Sequence, residues 1–168
     1  MRRRHAIGSL AGTLAWLAGC DGAARDSQAQ WQWPDLPARD VAGRPAAMPA
    51  ASGKARIINV WALWCAPCRH ELPSLQRLAT TLDTVEVWAV ALAEDCFAVR
   101  EYLAQHAPGL RGLVLAPGAP QVRELGLTTL PQTFAVSGEG ALRARWTGAR
   151  EWDSPAQRSQ IALLLQAA

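Results

Sequence analysis

The chain has 168 residues, half of them hydrophobic, which suits one domain of ordinary size with its own core and a short leader. Its net charge of +3 comes from Arg2, Arg3 and Arg4, because 17 basic residues less these three equal the 14 acidic ones. The remaining chain is neutral, which argues against a nucleic-acid partner, and the four cysteines are not arranged as a disulfide framework.

The beginning of the chain has the pattern of a secretory leader. Basic residues 2–4 precede an apolar stretch, 6–18, of about 13 residues, too short to span a bilayer but right for a signal-peptide core. The tetrapeptide LAGC at 17–20 looks like the bacterial lipobox, so we expect lipidation of Cys20. Asp21 resembles the signal that retains lipoproteins in the inner membrane. The alternatives are a plain secretory signal with a chance cysteine, or an uncleaved anchor.

The next segment is predicted to connect this leader to a folded domain. After a signal peptide over residues 1–19, residues 20–32 are polar, small and without periodicity, which indicates a flexible tether. The twelve residues after Cys20, 21–32, have an r.m.s. span of roughly 20 Å. The domain itself is predicted over residues 33–168.

The central stretch of the domain joins a buried strand to a helix. Residues 57–63 form an almost unbroken apolar run, typical of a parallel strand buried on both faces. Leucines then recur at helical spacing over 67–82. Cys65 and Cys68 lie at the junction, where the unpaired N–H groups and the dipole of the helix start stabilise a thiolate.

The C-x-x-C spacing predicts thiol–disulfide exchange. Cys65 would face outward and attack an external disulfide, and Cys68 would resolve the mixed disulfide and release the reduced substrate. A zinc half-site and an inert disulfide are the alternatives. A zinc site needs a second pair of ligands, and the chain has none with suitable spacing, only His70 and Cys96 as single candidates.

The rest of the chain alternates between strand and helix patterns. Two short extended pieces around a turn at 41–45 open the domain. After the central helix, strands are predicted at 84–92 and 113–115, helices at 95–106, 120–125 and 156–165, and a hairpin at 133–136 and 142–146. In the 95–106 helix, Phe97 and Leu103 are expected to point inward, with Val99 and Tyr102 as further candidates. This order predicts an α/β domain with a mixed sheet.

The run VWALWCAPCRHELPSL, residues 60–75, resembles the thioredoxin superfamily and, within it, the TlpA/ResA-type membrane-anchored thiol–disulfide oxidoreductases. Their motif is a strand ending in W-x-x-W-C-x-P-C, followed by a basic residue and E-x-P. The matching positions are Trp61, Trp64, Cys65, Pro67, Cys68, Arg69, Glu71 and Pro73. The resemblance covers about residues 33–168. It implies a thioredoxin-like fold, with a mixed central sheet flanked by helices and an N-terminal extension.

The resemblance also assigns residues to substrate binding. TLPQTF, residues 129–134, resembles the cis-proline loop of the superfamily, so we expect a cis bond at Pro131 and contact between substrate and the backbone of Leu130. Proline has no N–H, so the loop can approach the sulfurs without a competing donor. The substrate-contacting set is completed by residues next to the cysteines: Trp64, Ala66 and Pro67.

One position departs from the thioredoxin pattern. Thioredoxins place a buried aspartate beneath the second cysteine as its proton acceptor, and this chain has Asn59 there, which is not a base. ResA-like proteins share the asparagine and use a glutamate after the next strand, a place that Glu94 occupies. A carboxylate at the carboxyl end of a parallel strand points towards the site, and partial burial would raise its pKa. A solvated loop acid is the alternative.

The implied function is an extracytoplasmic enzyme that reduces disulfides of protein substrates, with no cofactor or metal. Family tasks are the reduction of apocytochrome c before haem attachment or of the copper-site cysteines of an oxidase. Electrons would come from a membrane thiol carrier. We expect a monomer, anchored by its lipid on the periplasmic face of the bacterial inner membrane.

Two other functions fit the same residues. A copper-binding or delivery module would use Cys65, Cys68 and His70, and a general disulfide oxidase or isomerase would have a higher reduction potential. Peroxiredoxins share the fold, but their P-x-x-x-T-x-x-C motif is absent. Cys96 is predicted to be a small apolar helix residue rather than a third redox partner.

Overall fold

The computed structural model describes residues 32–166. The predicted signal peptide, nearly all of the predicted tether and the predicted lipidation site Cys20 lie outside the described residues. The described part contains the strands β1 (Leu36–Asp40), β2 (Pro45–Met48), β3 (Ala55–Trp61), β4 (Val85–Leu92), β5 (Arg111–Leu115), β6 (Gln132–Val136) and β7 (Leu142–Thr147). Its helices are α1 (Ala66–Thr81), α2 (Cys96–His106), α3 (Pro120–Glu124) and α4 (Pro155–Gln166).

The strands form one mixed sheet, in the order β2-β1-β5-β4-β3-β6-β7. The three neighbours β5, β4 and β3 are parallel, and β1, β2, β6 and β7 pair with their neighbours in antiparallel fashion. The parallel strands are linked by helices, as parallel pairing requires. The predicted α/β fold with a mixed sheet is confirmed.

Both faces of the sheet are covered, which explains the unbroken apolar run of β3. Ile57 and Trp61 point into a core shared with α1, α2 and α4. Ile58 and Val60 point into a second core with β1, β2 and the segment around α3. Side chains alternate along a strand, so a strand in the middle of such a sheet needs apolar residues at nearly every position.

Most predicted elements lie within two residues of the observed ones. The prediction for Phe97 is wrong, because its side chain is 61% exposed. The inward stripe of α2 consists of Cys96, Val99 and Leu103, which recur at three- and four-residue steps. Phe97 lies one position off this stripe and therefore faces solvent.

The described chain begins at the end of the sheet opposite to the C-x-x-C pair. The backbone N–H of Trp33 donates a hydrogen bond to the carbonyl of Gly140 in the turn between β6 and β7. That turn follows Val136, which pairs with Arg56 at the start of β3, whereas the cysteines follow the other end of the same strand. None of the helices between residues 32 and 166 has the length and apolar character of a membrane span.

Candidate active site

The two cysteines form a disulfide at the start of α1. The S–S bond is 2.05 Å and the Cα atoms are 5.3 Å apart. Cys65 is the N-cap, and its Sγ accepts a hydrogen bond of 3.3 Å from the backbone N–H of Cys68. Pro67 lies in the first turn, where a missing N–H costs no helical hydrogen bond. In the reduced protein, the same N–H groups and the helix dipole would stabilise a thiolate at Cys65.

The disulfide is less exposed than the sequence predicts. Cys65 was expected to face outward, but its exposed fraction is 6%, compared with 0% for Cys68. In the disulfide state, the bond to the second sulfur and the hydrogen bond from Cys68 hold the Cys65 sulfur against the helix. The surroundings are open, since Trp64 is 76% exposed and Ala66 and Pro67 are also exposed. Access to the pair is therefore through Cys65.

The loop before β6 meets the same edge of the sheet. The Leu130–Pro131 peptide bond is cis, as the sequence predicts. Gln132 pairs with Val60, so Pro131 lies beside the end of β3, from which the chain leads into the disulfide. The carbonyl of Pro131 accepts a hydrogen bond of 2.9 Å from the backbone N–H of Gly148. Leu130 is half-buried, and its contact with substrate stays a prediction.

Asn59 lies on the face of β3 that α1 covers, and it is fully buried. Its Nδ2 donates to Thr133 Oγ1 at 2.9 Å and to Glu71 Oε1 at 2.7 Å. Thr133 is its cross-strand partner in β6, two residues after Pro131. Its Oδ1 is buried and has no hydrogen-bond partner among the described residues. Asn59 therefore links the proline loop to α1.

Glu71 is a buried carboxylate in the second turn of α1, with 1% of its surface exposed. Its Oε1 accepts the bond from Asn59, and its Oε2 accepts from the backbone N–H of Arg150 at 3.0 Å and from Trp152 Nε1 at 2.8 Å. Burial raises the pKa of Glu71, and the hydrogen bonds from Trp152, Arg150 and Asn59 oppose this rise only in part.

Glu71 and Cys68 share the inward face of α1. Residues three apart on a helix are neighbours, with Cβ atoms about 5–6 Å apart, and both side chains are buried. A carboxylate with a raised pKa, next to a buried thiol, is suited to exchange a proton with it. The arrangement therefore brings the two cysteines and a titratable carboxylate together in one place.

Glu94 does not have the partial burial that the sequence interpretation expected. It is exposed in the loop between β4 and α2. Asp95 caps α2 by accepting hydrogen bonds from the backbone N–H groups of Phe97 and Ala98, at 2.9 and 3.2 Å. This cap fixes the turn and leaves the side chain of Glu94 in solvent. Its backbone carbonyl accepts a hydrogen bond of 2.9 Å from Arg39.

Cys96 lies where the sequence predicts it, in a helix. Cys96 is buried at the start of α2 and carries a free thiol. His70 and His106 are exposed. Between residues 32 and 166, no group of three or more histidine, cysteine or carboxylate side chains is placed to hold a metal ion.

The buried partners of the disulfide were not predicted from the sequence. Glu71 was noted only as part of the E-x-P motif, although its spacing from Cys68 and Leu75 places it on the buried face of the helix. Two of its three donors were not foreseeable, because Arg150 and Trp152 are 79 and 81 residues away in the chain.

Comparisons with known proteins identify a family and several relatives. Residues 29–145 match the AhpC/TSA family. The thiol:disulfide interchange protein DsbE of Pseudomonas aeruginosa is 31% identical over 133 residues, which cover 79% of this chain and 71% of the relative. A DsbE homolog of Paracoccus denitrificans is 32% identical over 93 residues, or 55% of this chain, and the match spans only 50% of that relative's length.

A solved structure shares the fold. The crystal structure of a putative thiol:disulfide interchange protein DsbE from Chlorobium tepidum superposes with a TM-score of 0.69. The match covers 79% of this chain and 94% of that one, at 23% identity. At this identity, the similarity concerns the fold.

Proposed function

The chain belongs to the AhpC/TSA family, and from this membership we propose that it is a thiol–disulfide oxidoreductase that reduces disulfide bonds of protein substrates. The observation that carries the proposal is the Cys65–Cys68 disulfide at the start of α1, beside the cis Leu130–Pro131 bond. The names of the relatives, thiol:disulfide interchange proteins, support the same class of reaction.

The reaction proceeds in two exchanges that start from the reduced protein. The Cys65 thiolate attacks one sulfur of the substrate disulfide, which forms a mixed disulfide and releases the other substrate sulfur as a thiolate. The Cys68 thiolate then attacks the Cys65 sulfur, which restores the Cys65–Cys68 disulfide and releases the second substrate thiolate. Two electrons pass from the protein dithiol to the substrate, and the described disulfide is the product state.

The second exchange needs a group that accepts the Cys68 proton, and two carboxylates are candidates. The family resemblance assigns Glu94, which is exposed. The contacts of the buried site favour Glu71, because it shares the inward helix face with Cys68 and has a raised pKa. We therefore propose Glu71 as the proton acceptor, with Glu94 as the alternative to be separated by mutation.

We further propose a setting for this reaction. The substrates are disulfides of extracytoplasmic proteins, such as the haem-binding cysteines of apocytochrome c or the copper-site cysteines of an oxidase, and a membrane thiol carrier returns the electrons. Lipidation of Cys20 anchors the monomer on the periplasmic face of the inner membrane. The resemblance to TlpA/ResA-type proteins and the LAGC tetrapeptide at 17–20 support this setting.

Trapping of the mixed disulfide tests the reaction. Cys68→Ser, in a Cys96→Ser background, removes the resolving thiol. The reduced variant should therefore form a stable mixed disulfide with a substrate protein, and dithiothreitol should cleave this adduct. Cys65→Ser is the matched control and should form none. Equal adducts from the two variants, or none from Cys68→Ser, would contradict the proposed order of attack.

The reduction potential distinguishes a reductant from the other disulfide enzymes. Oxidants and isomerases have potentials of about −120 to −180 mV. Equilibration of the Cys65–Cys68 pair with a glutathione or dithiothreitol buffer should give a value below that range. A potential inside it would assign the protein to the oxidase or isomerase class instead.

A further inference from the structure

The loop that follows β7, residues 148–152, touches both halves of the candidate site. The backbone N–H of Gly148 donates to the carbonyl of cis-Pro131 at 2.9 Å. Further along, the backbone N–H of Arg150 and the indole of Trp152 both donate to Glu71 Oε2. The 148–152 loop therefore connects the proline loop with the carboxylate on α1.

Trp152 is held in place from three directions. It is fully buried, and its ring meets that of Trp146 edge-on, with the centroids 5.4 Å apart. Its backbone N–H donates to the hydroxyl of Ser74, on α1, at 3.1 Å. These contacts direct the indole N–H at Glu71 Oε2, 2.8 Å away.

The indole N–H favours one protonation state of Glu71. Indole nitrogen is a hydrogen-bond donor only, so it stabilises the carboxylate more than the neutral acid. Burial acts in the opposite direction and favours the neutral acid. With Arg150 and Trp152 both on Oε2, the other oxygen, Oε1, is left to face Asn59.

We propose that Trp152 is a positioning residue that keeps the buried Glu71 carboxylate ionisable and turns its Oε1 towards Asn59. Its effect on catalysis rests on the proposed function, in which Glu71 takes the proton of Cys68. Trp152 acts on the reaction only through Glu71, because the contacts that define its orientation are with Glu71, Ser74 and Trp146.

The test replaces the indole donor and follows the titration of Glu71. Trp152→Phe removes the N–H, and Trp152→3-benzothienylalanine removes it while keeping the size of the ring, so the second variant covers the case in which the first does not fold. The ¹³C chemical shift of the Glu71 carboxyl, recorded against pH, should show the pKa of Glu71 rising by about one to two units, as expected for a lost hydrogen bond to a charged group. The acid limb of the pH–rate profile for disulfide exchange should move by the same amount.

Trp146→Phe is the matched control, since it loosens the same aromatic pair and no hydrogen bond joins Trp146 to Glu71 in the described part of the chain. An unchanged Glu71 titration in both Trp152 variants, or an equal shift in Trp146→Phe, would overturn the proposal. A shifted titration with an unmoved rate profile would support the role of Trp152 towards the carboxylate and refute Glu71 as the proton acceptor. The two proposals therefore fail separately.

Discussion

Replacement of Glu71 by glutamine is the sharpest test of the chemistry. The change keeps the shape of the side chain and removes its ability to take a proton. In the parent, Glu71 must be ionised to accept the Cys68 proton, so exchange should accelerate as pH rises through the raised pKa of Glu71. In Glu71→Gln this limb of the profile should disappear.

The expected loss of rate exceeds the expected loss of stability. A general base contributes typically about 10²–10⁴-fold, so exchange near neutral pH should slow by that order. The amide oxygen of glutamine can still accept from Arg150 and Trp152, but its NH₂ would then face Nδ2 of Asn59. Asn59 can rotate its amide to accept this donor, because its Oδ1 has no other partner among residues 32–166.

The structural cost of this change is therefore about one hydrogen bond to a charged group, on the order of 1.5–3 kcal/mol. The replaced carboxylate no longer has to be buried with its charge, which offsets part of that cost. A domain of ordinary stability, about 5–15 kcal/mol, stays folded after such a change. A slow variant would therefore report on chemistry rather than unfolding.

The assay is a single turnover of the reduced protein with a peptide disulfide, mixed in a stopped-flow instrument between pH 4 and 9. Loss of the peptide disulfide reports the first exchange, and release of the second peptide thiol reports the attack by Cys68. Glu94→Gln is the control at the position that the resemblance assigns. Because Glu94 is exposed, its variant should stay within about threefold of the parent, in line with the small effects of solvated charges.

The outcomes separate the two carboxylates. If the Glu71→Gln profile overlays that of the parent, Glu71 is a structural acid. If only Glu94→Gln lacks the rise of the exchange rate with pH, the proton acceptor is Glu94, as the resemblance implies, and the assignment of Glu71 from its burial is wrong. A slow first exchange in Glu71→Gln, with the second unchanged, would also contradict the role at Cys68.

Three further results are expected. The pKa of Glu71 is raised in the folded protein, so its contribution to the free energy of unfolding is fully present below the unfolded pKa, about 4.3, and is lost as pH rises through the folded one; denaturant titrations from pH 4 to 8 should show that the parent loses stability relative to Glu71→Gln over this range. Brief, substoichiometric iodoacetamide treatment of the reduced protein should label Cys65 before Cys68, which is the more buried sulfur, and mass mapping that finds Cys68 or Cys96 first would contradict this order. Cys20→Ala should yield unprocessed precursor or a released domain, and an unchanged mass and membrane association would refute lipidation.

Local patterns were sufficient to predict the elements that position the disulfide. The unbroken run of β3 is a consequence of burial on both faces, and the leucines of α1 follow from its single inward face. The cis bond at Pro131 was predictable from its resemblance to a known loop. These features depend on residues that are close together in the sequence, so their periodicity or motif is visible without a structure.

The polar interior of the site could not be predicted in the same way. The three hydrogen bonds to Glu71 come from Asn59, Arg150 and Trp152, which lie on a strand and on a distant loop. Arg56 shows the same limit, because this fully buried arginine at the start of β3 donates to the backbone carbonyls of Pro49 and Ala50, each 2.6 Å from its guanidinium. Sequence gives the spacing of such residues along the chain and not the partners that compensate their burial.

The chain enters the sheet beside Gly140, at the end of β3 that lies away from the disulfide. Seven residues of strand separate the two ends, a length of about 20 Å at 3.3 Å per residue. If Cys20 holds the protein to a bilayer, the anchored chain joins the domain at the end opposite to the reactive sulfur. On a predicted tether with an r.m.s. span of roughly 20 Å, the disulfide can then be presented to extracytoplasmic partners, and the domain has to reorient to bring it to a thiol donor within the membrane.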